Sequence, residues 1–172
     1  MKLRDATAGD AAAIALIYAH HVLHGAGTFE EDPPPATEIA SRMAAVQAQG
    51  RPYLVAERDG RAAGFAYAVQ FRPRPAYRFT VEDSVYVAAD AVGQGVGRAL
   101  LTELIARCEG AGMRQMVGII GDSANLASIR LHEALGFRRI GTAPAMGWKH
   151  GRWVDVVWMQ RALGEGETSS PA

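Results

Sequence analysis

Three glycines, Gly93, Gly95 and Gly97, follow the strand-like run Val85-Tyr86-Val87 and lead at once into a helical stripe that opens at Val96. Glycines in that position let the backbone turn tightly and aim consecutive N–H groups at one point. The positive end of the helix adds to them, and a pyrophosphate would fit there. No Gly-Lys-Ser/Thr follows, and the GxGxG spacing deep in the chain is not a dinucleotide fingerprint; a plain structural turn is the competing reading. Just upstream, Glu82 shares one strand face with Thr80, Ser84 and Tyr86. Burial there would raise its pKa toward a useful value for a base, the alternative being a partly buried structural carboxylate. Downstream, Asn125, Ser128 and His132 stand at i, i+3 and i+7, one polar stripe of a helix that Asn125 is also placed to cap. Arg72 and Arg74, on a proline-stiffened loop that reaches Tyr77, offer bidentate grip on a carboxylate or form an ordinary basic surface. Phe29, beside Glu30 and Glu31, can form an opposite wall. His20 and His24 share a helix face near His21, but no third ligand of matching placement is visible, and no metal is expected.

The elements that must hold these groups can be read in order. Residues 3–6 suggest a short strand, and Thr7 with Asp10 resembles a capping box for a helix reaching about His24. Thr37 is placed to cap a second helix through about Gln49. Residues 53–57 and 62–70 read as strands joined at Asp59-Gly60, a hairpin signal. A strand over 79–87, a helix from Val96 to Gly110 or Gly112, a short buried strand over 116–120 and a helix over 125–135 stopped by Gly136 follow. Strands at 137–141 and 153–160, with a Gly/Lys/His loop between them, complete an α/β pattern with a mixed sheet. One domain over 1–163 and a small, polar, disordered tail over 164–172 are expected.

Composition bounds the partners. The 172 residues carry 18 Lys+Arg against 18 Asp+Glu, so a general nucleic-acid surface is not expected. No apolar run is long enough for a membrane span, the N-terminus lacks the apolar core of a signal peptide, and the single Cys108 permits no intrachain disulfide. A cytoplasmic protein is the expectation. The neutrality is a sum, however. Residues 1–60 hold five cations and eight anions, whereas 61–161 hold thirteen cations and eight anions. The arginine-rich middle could serve an anionic ligand, or be no more than an uneven solvated surface.

The strand, glycine loop and helix resemble the acyl-CoA pyrophosphate arm of the GNAT N-acetyltransferase superfamily, matched at Gly95 and Gly97. Asn125 followed by a helix and Leu135-Gly136-Phe137 resembles its second feature. Thr80-Val81-Glu82-Asp83-Ser84-Val85-Tyr86-Val87, Ser128-Ile129-Arg130-Leu131-His132-Glu133-Ala134-Leu135-Gly136-Phe137 and Gly147-Trp148-Lys149-His150-Gly151-Arg152-Trp153-Val154-Asp155 narrow the resemblance to the phosphinothricin and methionine sulfoximine/sulfone acetyltransferase group. It covers residues 3–163. The family usually has Gln or Arg where this chain has Val92, so Gln94 or Arg98 would supply that donor.

The resemblance implies a three-layer α/β fold, a mixed and mostly antiparallel sheet of about seven strands flanked by about four helices. It implies acetyl-CoA as co-substrate, held by Val85, Tyr86, Val87, Gly93, Gln94, Gly95, Val96, Gly97 and Arg98 with Asn125 and Ser128. Glu82 would be the base, and His132 a base, proton carrier or substrate contact. A backbone N–H near Val87 would meet the oxyanion. From its own place on the strand, Tyr86 could donate to the leaving thiolate or simply pack. Phe29, Arg72, Arg74 and Tyr77 would contact a small amino-acid-like substrate, and the protein would be a homodimer. Cys108 sits inside a helix stripe, so direct transfer in a ternary complex is expected rather than an acyl-enzyme. Acetylation of a protein N-terminus, polyamine or aminoglycoside, or a non-catalytic acyl-CoA sensor, are the competing readings.

Overall fold

The computed structural model describes residues 1–171. In chain order they form β1 (Lys2–Asp5), α1 (Ala11–His24), α2 (Ala36–Ala48), β2 (Tyr53–Arg58), β3 (Arg61–Gln70), β4 (Thr80–Val87), α3 (Val96–Gly110), β5 (Gln115–Gly121), α4 (Leu126–Ala134), β6 (Arg138–Lys149) and β7 (Arg152–Ala162). One seven-stranded sheet runs in the order β1-β2-β3-β4-β5-β7-β6. Every adjacent pair is antiparallel except β4 with β5. Strand alternation divides the core between the two faces. Val55 and Phe65 pack with Ile14, Val22 and Met43 of α1 and α2, while Leu54 and Ala66 pack with Leu100, Leu104 and Ile129 of α3 and α4. The expected three-layer architecture is what the structure has.

Asp59 and Gly60 both take positive φ, 51° and 75°, the geometry of a tight hairpin turn, so that reading holds. The capping box expected at Thr7 and Asp10 is present: Asp10 accepts from the Thr7 backbone N–H at 2.8 Å, and Arg4 grips the same carboxylate with both Nη atoms. Two local expectations are corrected. The second helix starts at Ala36, not behind Thr37. Pro35 is already extended at φ −68°, and its carbonyl takes the N–H groups of Glu38 and Ile39. The loop expected between 141 and 153 is mostly strand. β6 runs to Lys149 through two irregularities and turns at His150-Gly151, again with both φ values positive.

The expected disorder of 164–172 falls in part on Ala172, outside the described residues. From Leu163, which is fully buried, to Ser170 the chain turns back over Arg114, whose guanidinium donates to the carbonyls of Gly166 and Ser170 and to the Ser169 hydroxyl. No helix among the described residues is long and apolar enough to cross a membrane.

Candidate active site

β4 and β5 pair only from Thr80 opposite Gln115 to Asp83 opposite Gly118. Beyond that point β4 stays with β3 as far as Val87, and β5 stays with β7 as far as Gly121 opposite Val156. The two halves of the sheet therefore part, and a cavity of about 890 Å³ opens between them. Its walls are residues 84–87 and 118–121, the glycine loop, the start of α4, and residues 25–29 after α1. The gap-facing edge of β4 at 84–87 has no β5 partner, which leaves a strand edge available to a ligand carbonyl.

At one end lies the cradle. Gly93 and Gly95 have φ of 78° and 80°, which side-chain-bearing residues rarely adopt, and nothing lies within 4 Å of where a Cβ would stand. Gly95 caps α3 without a side chain, and the first helical bond there is Ala99 N–H to the Gly95 carbonyl. The N–H groups of Val96, Gly97 and Arg98 therefore have no partner within the helix, at its positive end. Gly97 serves differently, since a Cβ there would touch Leu131 and Val87 at 3.4 Å. The residues present fit a pyrophosphate. Gln94 is corrected as a side-chain donor. Its amide donates to the Asp90 carbonyl and accepts from Arg58, so it faces away from the cavity that Val92 and Arg98 line.

Alternation along β4 turns Glu82, Ser84 and Tyr86 toward α1 and α2, and Val81, Asp83, Val85 and Val87 toward α3 and α4. Glu82 is half-buried. Burial first, and the Asp83 charge second, push its carboxyl above the ordinary range, while Arg72 pulls it back. Tyr86 packs edge-on to Tyr18 and flat against Phe65, its hydroxyl held well above its usual range by burial. His21 Nε2 donates to the Val87 carbonyl at 2.8 Å.

His132 lies behind β4, on the face opposite Glu82. It is 4% exposed, with Nδ1 2.8 Å from the Ser128 carbonyl and Nε2 3.1 Å from Asp83 Oδ2. The expected stripe is therefore in place, although Asn125 is the helix cap and its Oδ1 accepts from Ser128 N–H at 3.3 Å. Asp83 is a residue the sequence reading missed. Its signal was an acid on the apolar side of an otherwise clean alternation. Lys149 is another. It is 3% exposed and donates to the Thr28 carbonyl at 2.7 Å, tying residues 25–29 to the end of β6. Burial pushes its ammonium down, against the opposing pull of Glu31 and Glu30.

The substrate-side residues are brought together only in part. Phe29 lines the cavity and sits over Gly147, where a Cβ would stand 2.6 Å from its ring. Arg72 lies over the Phe71 ring at 4.9 Å, outside the residues that line the cavity, but near enough to Glu82 to lower its pKa. Arg74 and Tyr77 stand on an exposed 3₁₀ turn and do not reach the cavity, because Pro75 starts a tight turn that carries them outward. Among the described residues no group of three or more His, Cys, Asp or Glu could hold a metal; His20 and His24 face each other at 5.0 Å while His21 turns to Val87. Burial pushes the Cys108 thiol up to about 12, which removes it as a nucleophile.

Comparison with known proteins agrees with this geometry. Residues 17–137 match the model of the acetyltransferase (GNAT) family. The chain is 57% identical over 162 residues to a phosphinothricin N-acetyltransferase of Alcaligenes faecalis, spanning 94% of this chain and 82% of that protein. It is 41% identical over 165 residues to an L-methionine sulfoximine/L-methionine sulfone acetyltransferase of Salmonella typhimurium, 96% of each. A crystal structure of a GNAT superfamily phosphinothricin acetyltransferase from Sinorhizobium meliloti, in complex with acetyl-CoA, superposes with a TM-score of 0.97 at 49% identity, covering 99% of this chain and 92% of that one.

Proposed function

The chain belongs to the GNAT family of acetyltransferases and is an acetyl-CoA-dependent N-acetyltransferase, and we propose that its acceptor is the α-amine of a small amino acid of the phosphinothricin or methionine sulfoximine/sulfone kind. The observation that carries this is the gap itself. It has an anion cradle at one end, an acid of raised pKa on its wall, and an arginine close enough to that acid to influence it. Acetyl-CoA, when bound, supplies the activated acyl group. The N–H groups of Val96, Gly97 and Arg98, with the Arg98 side chain, would hold its pyrophosphate, and Asn125 and Ser128 line the way between that cradle and β4.

An α-ammonium must lose a proton before it can attack a thioester, and Glu82 is the group we assign to take it. Its raised pKa gives it the basicity for that at neutral pH. Arg72 meets the acceptor's carboxylate, with Phe29 as the facing wall. Transfer is direct, in a ternary complex.

The test is a thiol-release assay with acetyl-CoA against amino acids, sulfones, polyamines and peptides. Turnover is expected with the small amino acids alone. Arg72→Ala should raise their KM by about 10- to 100-fold, the worth of a charge-assisted bond, and leave the acetyl-CoA KM unchanged. Removing Arg72 also removes the charge that lowers the Glu82 pKa, so the acid limb of the rate profile moves to higher pH. Equal turnover of polyamines, unaffected by Arg72→Ala, would defeat the assignment of substrate.

A homodimer is part of the proposal. β6 is the edge of the sheet and nearly all of it is exposed; Ile140, Met146 and Trp148 on it, with Trp153 across the turn, are 55–62% exposed. Trp148 and Trp153 meet edge-on at 5.4 Å, and so many large apolar side chains on one edge hairpin are rarely left in water. We assign a second copy of the chain as their cover. Light scattering on the eluting protein should give twice the chain mass, and Trp153→Glu should halve it. Acetyl-CoA is a cytoplasmic metabolite, and a cytoplasmic place of action goes with this reading.

A further inference from the structure

Asp83 and His132 form a side-chain pair at the closed end of the gap, where β4 and β5 make their last contact. Asp83 is 7% exposed and His132 4%. His132 Nδ1 is 2.8 Å from the Ser128 carbonyl oxygen, an acceptor only. Nε2 is 3.1 Å from Asp83 Oδ2. Satisfying both needs two protons on the ring, or one proton on the carboxyl. Imidazole is the stronger base by more than two pKa units in water, so the ring is where the proton belongs. The ring packs closely on the Gly118 backbone, which has no side chain there. A Cβ at Gly118 would lie 2.9 Å from its Cδ2 and Nε2, and Phe137 presses edge-on at 4.8 Å. Neither nitrogen is free to meet a substrate.

We propose that Asp83 is a positioning residue of the transfer reaction, holding His132 as a fixed imidazolium that braces the closed end of the gap, so that His132 does not take the amine's proton. The role rests on placing acetyl transfer in this cavity. Asp83 has a second consequence, because its Oδ1 is buried without a partner and its charge is the second cause of the raised Glu82 pKa. It therefore tunes the base on the other face of its own strand.

The groups facing the pair are few. β4 contributes Asp83, with Glu82 on its far side. β5 contributes Gly118, and the segment after α4 contributes Phe137. α3 contributes Cys108, a neutral thiol whose pKa the Asp83 charge also raises. Among these only Asp83 is charged against the ring, and with the Ser128 carbonyl it outweighs burial and moves His132 upward.

The experiment is nitrogen-15 NMR of the histidine rings in the full-length protein, with His132→Gln to assign the resonance. The expected result is a His132 ring that stays doubly protonated above the ordinary histidine value of about 6.5. A ring that is neutral at pH 7 overturns the proposal. Kinetics supply the second arm. Asp83→Asn should free His132 to titrate and move the acid limb of kcat to lower pH, since a charge that raises the Glu82 pKa is gone; a merely structural loss would lower Tm and leave that limb in place. His132→Gln should keep the limb, and its disappearance would make His132 the base and overturn the proposal. Should Asp83→Asn fail to fold, the ring state of the unaltered protein still decides. The NMR result needs no substrate, so a failed thiol-release panel refutes the acceptor assignment and not the charge state.

Discussion

Glu82→Gln is expected to lower kcat by about 10²- to 10⁴-fold, the usual worth of a positioned general base, and to abolish the acid limb of the pH profile. The side chain stands on the face of β4 turned toward α1 and α2, opposite Val69 of β3 and next to the opening where β4 and β5 part. Gln keeps that shape and loses the ability to accept a proton as a carboxylate does. Acetyl-CoA binding, measured by calorimetry, should be unchanged, because the cradle at Gly93–Arg98 belongs to a different element. Stability should move the other way. The folded pKa of Glu82 lies above the unfolded one, so between those values the folded state holds an extra proton and stability falls as pH rises. Above the raised value the ionised carboxylate is a net cost, and Glu82→Gln removes it; a rise in Tm at pH 7 to 8, absent at pH 4, is the expected signature. A variant as active as the parent at every pH would remove Glu82 as the base.

How much of this could be read from residue order differs from one group to the next, for physical reasons. The face of Glu82 was legible because strand alternation has a period of two, which assigns it without knowledge of the partner strands, whereas the role of base came only with the family resemblance. The cradle was legible because positive φ at 93 and 95 is a demand on residue type, and glycine answers it. The Asp83–His132 pair was not, since it joins residues 49 positions apart and depends on how α4 lies over the β4–β5 junction. Gln94 was misread because its backbone position says nothing about where its amide turns, and Arg58, in another hairpin, takes it. β6 was cut short because an edge strand with nearly all side chains in water carries no apolar alternation; its His150-Gly151 turn was the available signal. Arg74 and Tyr77 lie where no periodicity exists to aim them.

The other large effect is expected at a residue without a side chain. In Gly121→Ala the new Cβ would stand 2.0 Å from the Ala26 carbonyl oxygen and 3.1 Å from its carbon. Both neighbours are backbone, so no rotamer change relieves the clash. Gly121 is the last residue of β5 and is held by pairing with Val156, so residues 25–27 must yield. They are moored on three sides. Gly25 N–H donates to the His21 carbonyl at 3.0 Å, His150 Nε2 donates to the Gly25 carbonyl at 3.1 Å, and Lys149 holds the Thr28 carbonyl. Overpacking of this kind costs about 1–3 kcal/mol, or roughly 3–10 °C in Tm for a chain of this size. The functional loss should be larger than the loss of stability suggests. Residues 25–29 are the cavity wall that carries Phe29, and a displacement of about 1 Å in a positioning wall is worth about 10²-fold in rate. That loss should fall on kcat/KM for the amine, with the acetyl-CoA KM changed little, because the cradle lies across the cavity on α3. Gly110→Ala is the matched control: nothing lies within 4 Å of its Cβ and it ends a helix, so neither Tm nor rate should fall. If Gly121→Ala matches that control in both measurements, residues 25–29 move at no cost and are not a fixed wall of the acceptor site.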